Sequence, residues 1–180
     1  MTAYAALLKS VNLAGKKKVA MADLRDLAER LGYGAPRTLL QSGNLVFTAK
    51  LTAAKLEAKL EEAIADELGV ETAVMVRDAA SLAEVIARDP MPDAARDDPG
   101  HLVALFSKSA VSVEAESRLV AAIKGREVVK AVGSVVYAHY VDGIGESKLT
   151  NAVIERALGV AVTGRNWNTV LKLDAALKDL

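Results

Sequence analysis

The chain has 180 residues, 52% of them hydrophobic, and its 23 basic and 23 acidic side chains give a formal net charge of zero. This length suits one large domain or two small ones, and the balanced charge excludes a global field that would steer the protein onto nucleic acid or an anionic membrane. The sequence contains no cysteine, which excludes disulfides, thiolate metal sites and a cysteine nucleophile and fits a reducing compartment. The longest charge-free apolar stretch, 131–141, is too short for the ~20 residues of a membrane helix, and the chain lacks the basic start of a secretory signal. We therefore expect a cytoplasmic protein.

The first part of the chain predicts six elements from its hydrophobic periodicity and turn residues. In order they are a buried strand at 3–11, a helix from Met21 to Leu31, strands at 37–41 and 45–49 around a hairpin turn, a helix after Thr52 that ends at Gly69, and a strand at 70–76. This is the βαββαβ order of a ferredoxin-like lobe.

A linker separates this pattern from a second one. Ser81 and Glu84 have the spacing of a capping box at the start of a short helix, and the segment 89–100 combines prolines with acidic residues. The elements predicted after it are a strand at 101–107, a helix after Ser112, strands at 127–132 and 135–141, a helix from Leu149 to Leu158, a short strand at 160–163 and a terminal helix at 167–180.

The element order therefore repeats along the chain. We predict an α+β protein with two ferredoxin-like (βαββαβ) lobes, whose antiparallel sheets carry helices packed on one face. The predicted first lobe spans 1–78, a short helix and a linker rich in proline and aspartate span 79–100, and the second lobe with its C-terminal helix spans 101–180.

A polar loop after the first predicted strand forms the first candidate site. In a βαββαβ lobe the first two strands run in the same direction, so the loop after the first strand and the turn after the second leave the same end of the sheet. The loop leads into a helix N-terminus, where unpaired backbone N–H groups and the helix dipole favour an anion. The residues predicted to bind a ligand here are Asn12, Gly15, Lys16, Lys18, Gln41, Ser42 and Asn44. The alternative is that the glycines only form turns and the lysines are a solvated run.

Two loops of the second predicted lobe form the second candidate site. The segments after its third and fourth strands leave one end of the sheet, and each precedes a helix. The residues predicted to bind a ligand here are Ser147, Lys148, Arg165, Asn166 and Trp167. Arg165 can pair with a phosphate and Trp167 can stack on a base or sugar. The alternative is that Ser147 and Asn166 cap helices and that Trp167 packs in the core.

The residue pattern defines neither a catalytic set nor a metal centre. His101 and His139 fall on predicted strands without metal-ligand spacing, so no metal is expected. Phosphate-loop and dinucleotide fingerprints are missing, and the catalytic residues and any cofactor are unknown. RNA-recognition modules display stacking aromatics on their central strands. Here only Tyr4 and Phe47 lie on those strands, so neither nucleic acid nor a membrane is expected as a partner, and the oligomeric state is open.

Three parts of the sequence stand out as motifs, namely 6–16 with 19–25, then 41–47, and finally 147–151 with 163–170. They resemble the hallmark motifs of a bacterial family called domain of unknown function 1697. Ser10 and Ala14 stand where the family usually has glycine, and Gly164 stands where threonine is common. The resemblance covers nearly the whole chain and implies a small bacterial cytoplasmic protein of this two-lobed type. The family brings no established activity, substrate or catalytic residue.

Three hypotheses about function follow from these patterns. The first is a binding or regulatory protein for a phosphate- or carboxylate-bearing small molecule, such as a nucleotide. The second is an enzyme acting on such a ligand, with Asp142 or Glu146 as the base and Lys148 or Arg165 stabilising developing charge. The third is an interaction module whose loops contact another chain.

Overall fold

The computed structural model describes all residues from 1 to 180. Its elements, in chain order, are β1 (Thr2–Leu8), α1 (Met21–Arg30), β2 (Gly34–Leu39), β3 (Asn44–Ala49), α2 (Ala53–Leu68), β4 (Val74–Asp78), α3 (Ala79–Ala87), α4 (Pro92–Asp97), β5 (Leu102–Phe106), α5 (Val113–Ala122), β6 (Val128–Val132), β7 (Val135–His139), α6 (Asn151–Leu158), β8 (Thr163–Asn166) and α7 (Trp167–Lys178). None of these helices combines the length and the apolar character that a membrane span requires.

The first sheet has the strand order β2-β3-β1-β4, and every neighbouring pair is antiparallel. Ala6 of β1 lies opposite Leu45 of β3 and opposite Val76 of β4. Because β1 and β2 are both antiparallel to β3, they run in the same direction, and their C-terminal ends lie at one edge of the sheet. This is the predicted ferredoxin-like arrangement.

The edge strand β4 has side-chain partners on its outer backbone. The N–H of Val74 donates to Glu61 Oε1 at 2.8 Å and the N–H of Val76 donates to Glu57 Oε1 at 2.9 Å. Both carboxylates come from α2. They occupy backbone donors that an open edge would offer to another strand.

The second sheet repeats the architecture with the order β6-β7-β5-β8, again fully antiparallel. The two four-stranded antiparallel sheets and their helices confirm the predicted α+β class with two ferredoxin-like lobes.

The chain divides into two compact units, Met1–Glu84 with Lys172–Leu180, and Val85–Leu171. The first unit has its own core, in which Leu24 of α1 and Leu60 of α2 are fully buried with Phe47 of β3. The second unit has a core of the same kind around Leu119 and Ile154. The lobe boundaries expected from the sequence stay predictions.

The predicted strand at 160–163 is wrong, because β8 begins at Thr163 and ends at Asn166. Its position is set by pairing with β5, in which Thr163 lies opposite Phe106 and Asn166 lies opposite Val103. The apolar residues before it contribute to the core without forming a strand; Val162 is fully buried.

Of the two predicted helix caps at Ser112 and Ser81, the structure confirms the first and contradicts the second. Ser112 caps α5 as expected, since its side chain accepts a hydrogen bond from the N–H of Ala115. The predicted capping box at Ser81 is wrong, because α3 already begins at Ala79 and the N–H of Ser81 donates to Asp78 Oδ1 at 2.7 Å. The linker segment contains the short helix α4, which has Pro92 in its first turn.

Candidate functional site

We call the loop between β1 and α1, residues 9–20, the lysine loop, and the side chain of Asn12 makes several of the hydrogen bonds that hold it in place. Asn12 Nδ2 donates to the carbonyl of Val19 at 2.9 Å, and Asn12 Oδ1 accepts from the N–H of Val19 at 2.9 Å. The backbone N–H of Asn12 also donates to the carbonyl of Lys17 at 3.1 Å. These bonds close the loop on itself, so that its tip, with Lys16 and Lys17, is presented as one unit.

The backbone of the lysine loop is unusually rich in left-handed residues. Ser10, Asn12, Ala14 and Lys17 have φ values of 54°, 56°, 49° and 47°, and Gly15 has 73°. A left-handed conformation costs an ordinary residue roughly 1–2 kcal/mol, and such strain concentrates at binding and switch regions. The loop is therefore a preformed structure in which surrounding contacts offset a local cost.

The cations of the lysine loop are exposed and have no ion-pair partner. Lys16, Lys17 and Lys18 all lie at the surface, and none has a carboxylate within ion-pair distance. Helix α1 follows directly, and Ala20 at its N-cap position provides no side-chain hydrogen bond. Unpaired lysines thus precede a helix end whose first backbone N–H groups have no side-chain acceptor at the cap. The acidic Asp23 in the first turn offsets part of the helix dipole.

The β2–β3 turn, residues 40–44, lies against the lysine loop as predicted from the topology. Asn12 Nδ2 donates to the carbonyl of Gln41 at 2.7 Å, and the N–H of Leu8 donates to the carbonyl of Gly43 at 2.9 Å. Asn44 is fully buried, and its Nδ2 donates to Leu39 O at 2.8 Å and to Ser42 Oγ at 2.9 Å. The structure therefore brings the seven predicted residues of the first unit to one end of the sheet.

The predicted residues of the first site have two kinds of role, depending on whether their side chains are buried or exposed. Asn12 and Asn44 stabilise the two backbone segments, whereas the side chains of Lys16, Lys18 and Gln41 are exposed. Ligand binding by the predicted residues stays a prediction, and the exposed side chains are the ones free to take part directly.

The second candidate site contains a cleft of about 210 Å³. Its lining residues are Lys124, Gly125, Glu127, Asp142, Gly143, Glu146, Ser147 and Lys148. Ser147 Oγ donates to Glu127 Oε1 at 2.5 Å, and this hydrogen bond is the main reason why the pKa of Glu127 is lowered. Three carboxylates and two ammonium groups line the cleft, so it is not selective for anions.

Two charged residues of this cleft, Lys124 and Glu127, were not predicted from the sequence. Glu127 was expected at the start of a strand, and Lys124 lies in the short segment between α5 and β6. Neither stands in a recognisable motif. The only sequence signal is the Lys124-Gly125 turn before a strand, a pattern shared by many surface connections.

The loop acids Asp142 and Glu146 are exposed. Asp142 is ion-paired to Arg126, whose Nε donates to Asp142 Oδ2 at 2.9 Å. The hydrogen bond from Arg126 lowers the pKa of Asp142, and a lowered pKa makes a carboxylate a weaker base. Glu146 is exposed in the same loop.

Arg165 and Trp167 are buried rather than presented on a loop. Arg165 lies in β8 with 6% of its surface exposed, and its Nη1 donates to Thr163 Oγ1 and to the carbonyl of Gly164, each at 2.8 Å. Burial lowers the pKa of Arg165 to about 10. Trp167 is 4% exposed and packs near Tyr137, with ring centroids 6.2 Å apart.

The remaining predicted residues of the second unit have mainly local contacts. Asn166 Oδ1 accepts from the N–H of Thr169 at 3.0 Å and caps α7. Thr150, rather than Ser147, caps α6 by accepting from Val153 N. Lys148 is exposed beside the cleft. Ser147 and Lys148 thus line one cleft, and Arg165, Asn166 and Trp167 are not part of its lining.

Both histidines contact the same carboxylate. His101 Nδ1 lies 2.9 Å from Asp98 Oδ1, and His139 Nε2 lies 2.9 Å from Asp98 Oδ2. The hydrogen bond with His139 is the main reason why the pKa of Asp98 is lowered. In the whole chain no group of three or more His, Asp or Glu side chains is arranged to hold a metal ion.

The fold and the two loop clusters define a class of small α+β proteins built from two ferredoxin-like sheets. The model of the family described as protein of unknown function, DUF1697, matches residues 1–137. The chain therefore belongs to this family, as the sequence motifs indicated. No curated protein matches the chain.

A solved structure shows the same fold. The chain is similar to the conserved bacterial protein SP0830 from Streptococcus pneumoniae, with a TM-score of 0.75 and 22% sequence identity over 98% of each chain. The similarity extends over both sheets, and at this identity it concerns the fold alone.

Proposed function

We propose that the protein binds a phosphate- or carboxylate-bearing small molecule, such as a nucleotide, at the lysine loop of the first unit. The observation that carries the proposal is the combination of unpaired Lys16, Lys17 and Lys18 with the helix end at Ala20, which has no side-chain cap. Backbone N–H groups at a helix start together with nearby ammonium groups are a common anion-binding arrangement.

Three helix starts in the chain differ from that of α1, whereas Thr52 of α2 and Met91 of α4 likewise provide no side-chain cap. Ser112 caps α5 and Thr150 caps α6, each accepting a backbone hydrogen bond, and Asn166 accepts from Thr169 at the start of α7. Their first-turn donors are partly satisfied from within the protein. Among the helix starts without a side-chain cap, that of α1 follows three consecutive exposed lysines, and this supports α1 as the helix start at which an anion would be bound.

The β2–β3 turn supplies the groups for selectivity. Gln41 is exposed, and its backbone carbonyl is tied to Asn12 in the lysine loop. Its side-chain amide has a donor and an acceptor beside the lysines and can hydrogen-bond a sugar or a base attached to the phosphate. Ser42, half-buried in the same turn, holds Asn44 and thereby the shape of the turn.

The enzyme hypothesis receives less support. Its candidate base Asp142 is ion-paired with Arg126 and has a lowered pKa, and its candidate cation Arg165 is buried. The remaining base, Glu146, is exposed to solvent. We therefore propose a binding or regulatory role rather than catalysis. We also propose that the protein is bacterial and cytoplasmic, since a chain without cysteine fits a reducing compartment.

Titration of the full chain with inorganic phosphate, AMP, ATP and citrate tests the proposal. Backbone amide NMR shifts should move in a saturable way at residues 14–23 and 41–42. Replacing Lys16 and Lys18 by alanine should weaken binding by about tenfold or more, because charge-assisted contacts each contribute roughly 1.5–3 kcal/mol. Replacing the exposed Lys55 of α2 and Lys172 of α7 removes the same charge elsewhere and should leave the affinity unchanged. No saturable shift with any of the four probes, or equal affinity in both double variants, contradicts the proposal.

A further inference from the structure

A second cleft in the first unit, with a volume of about 230 Å³, lies away from the lysine loop. Its walls come from the end of α1, the end of β3 and one side of α2. The residues that matter for its chemistry are Leu31, Tyr33, Lys50, Leu51 and Lys59. Two leucines supply an apolar surface, and the two lysines, both exposed, supply positive charge at the rim.

Tyr33 is the unusual member of this lining. The residue is only 7% exposed, and its ring stacks on Phe47 with centroids 4.6 Å apart and planes 17° apart. Its hydroxyl oxygen is buried and has no hydrogen-bond partner in the protein. A buried donor without a partner costs roughly 1–3 kcal/mol, so native proteins rarely retain one without a reason.

The neighbouring polar groups do not satisfy this hydroxyl. The carbonyl of Leu51, a residue of the same lining, already accepts a hydrogen bond from the Tyr4 hydroxyl at 2.9 Å. A phenol with an ordinary pKa of about 10 is protonated at neutral pH and able to donate, and burial raises the pKa of Tyr33 further. The missing partner is an acceptor.

We infer that this cleft binds a small apolar monocarboxylate, whose carboxylate accepts from the Tyr33 hydroxyl and faces the ammonium groups of Lys50 and Lys59. The volume suits a ligand with one aromatic ring or a short aliphatic chain and is smaller than the ~300–1,000 Å³ of drug-sized sites. The body of the ligand packs on Leu31 and Leu51. This site is separate from the lysine loop and does not depend on the function proposed there.

The two sites make different demands on a ligand. The lysine loop is exposed and polar and leads into the uncapped start of α1, which suits a hydrated phosphate. The cleft at Tyr33 combines an apolar wall with a single buried donor, which suits one carboxylate on an apolar body. Benzoate and hexanoate are therefore the probes, and benzamide is the neutral control of matched shape.

The test is a titration of the full chain by NMR, read at residues 31–33, 49–51 and 59. Benzoate or hexanoate should give saturable shifts there, and benzamide should bind at least about tenfold more weakly because it lacks the charge. Tyr33→Phe keeps the ring that stacks on Phe47 and removes only the hydroxyl. This variant should lose about tenfold or more in affinity for benzoate, with a melting temperature equal to or above that of the wild type.

A second pair of variants tests the rim. Lys59→Ala should weaken benzoate binding, whereas Lys55→Ala, one turn away on the same helix and outside the lining, should leave it unchanged. The inference is overturned if neither carboxylate gives saturable shifts, if benzamide binds as tightly as benzoate, or if Tyr33→Phe binds benzoate with wild-type affinity. Loss of phosphate binding in the Lys16 and Lys18 variant, with benzoate binding intact, would establish that the two sites are independent.

Discussion

The side chain of Asn12 joins two segments that are 29 residues apart in sequence, because its Nδ2 donates to the carbonyl of Gln41 at 2.7 Å. The same amide closes the lysine loop through two bonds to Val19. One residue thus fixes both the internal shape of the loop and its position against the β2–β3 turn. Any ligand site at this end of the sheet depends on it.

Replacing Asn12 should destabilise the first unit strongly. Asn12→Ala removes three hydrogen bonds worth about 1 kcal/mol each and places alanine at φ 56°, so we expect a loss of about 3–4 kcal/mol in the free energy of unfolding, measured in urea. Asn12→Gly removes the same hydrogen bonds without the left-handed penalty, so its free energy of unfolding should be roughly 1 kcal/mol higher than that of the alanine variant. Equal stability of the two variants would show that the left-handed φ of residue 12 costs alanine nothing. Wild-type stability in both variants would show that the hydrogen bonds of the Asn12 side chain do not stabilise the fold.

Two other residues of the lysine loop should gain from glycine. Ser10 and Ala14 have φ values of 54° and 49°, in the left-handed region that glycine adopts without steric cost. Glycine removes a left-handed penalty of roughly 1–2 kcal/mol but loses more entropy on folding, so Ala14→Gly and Ser10→Gly should each stabilise by about 0.5–1 kcal/mol.

A matched control for these variants exists in the next helix. Ala22 is exposed in the first turn of α1, where glycine is a poorer helix former, and Ala22→Gly should destabilise by up to about 1 kcal/mol. Opposite signs for Ala14→Gly and Ala22→Gly in thermal unfolding are the expected result. A loss of stability at both sites would show that the loop is not strained at Ala14.

The first candidate site was predictable from topology, because the βαββαβ order alone places the loop after β1 beside the turn after β2. The contact between Asn12 and Gln41 confirms that step. The left-handed residues could not be predicted locally, since Ser10 and Ala14 are not residues that favour positive φ. The surrounding hydrogen bonds of the folded loop impose the positive φ values at these residues.

The second candidate site was harder to predict because burial is decided by pairing between strands. Arg165 was expected on a loop. It lies instead in β8, opposite Ala104 of β5, and is almost fully buried. A charged residue in a short polar segment gives no local signal of a strand. Gly164 beside it is close to Leu105 and Val103, since an added Cβ would lie 3.1 Å from each. Such close packing is a tertiary property that periodicity does not reveal.

Gly43 should tolerate no side chain. Its φ is 81°, and an added Cβ would lie 2.5 Å from Val11 Cγ2 and 2.9 Å from Leu8 Cβ. Gly43→Ala should therefore destabilise by about 2–4 kcal/mol, from the left-handed penalty and the overlap together. Gly133 is the matched control: its φ is 61°, and an added Cβ would meet no atom within 4 Å. Gly133→Ala should cost only about 1 kcal/mol. Similar losses of stability for the two variants in urea unfolding would show that the β2–β3 turn is not closely packed against β1 and the lysine loop.

The hydrogen bond between Ser147 and Glu127 should make stability depend on pH in the acid range. Because the pKa of Glu127 is lower in the folded protein than in the unfolded chain, its ionised form stabilises the fold above the unfolded pKa of about 4.3. That contribution is lost as the pH falls through the folded pKa. Ser147→Ala removes the main cause of the shift, so the pKa of Glu127 should rise toward its ordinary value and less stability should be lost on acidification.

Two measurements check this prediction. A ¹³C NMR titration of the Glu127 carboxyl gives its pKa directly, and urea unfolding between pH 3 and pH 7 gives the change in stability. Ser147→Thr keeps the hydroxyl and should preserve the low pKa of Glu127, whereas Ser147→Ala should not. If the alanine variant titrates like the wild type, the backbone N–H groups of Glu127 and Gly125, which also lower this pKa, are sufficient to stabilise the carboxylate and the role assigned to Ser147 is wrong.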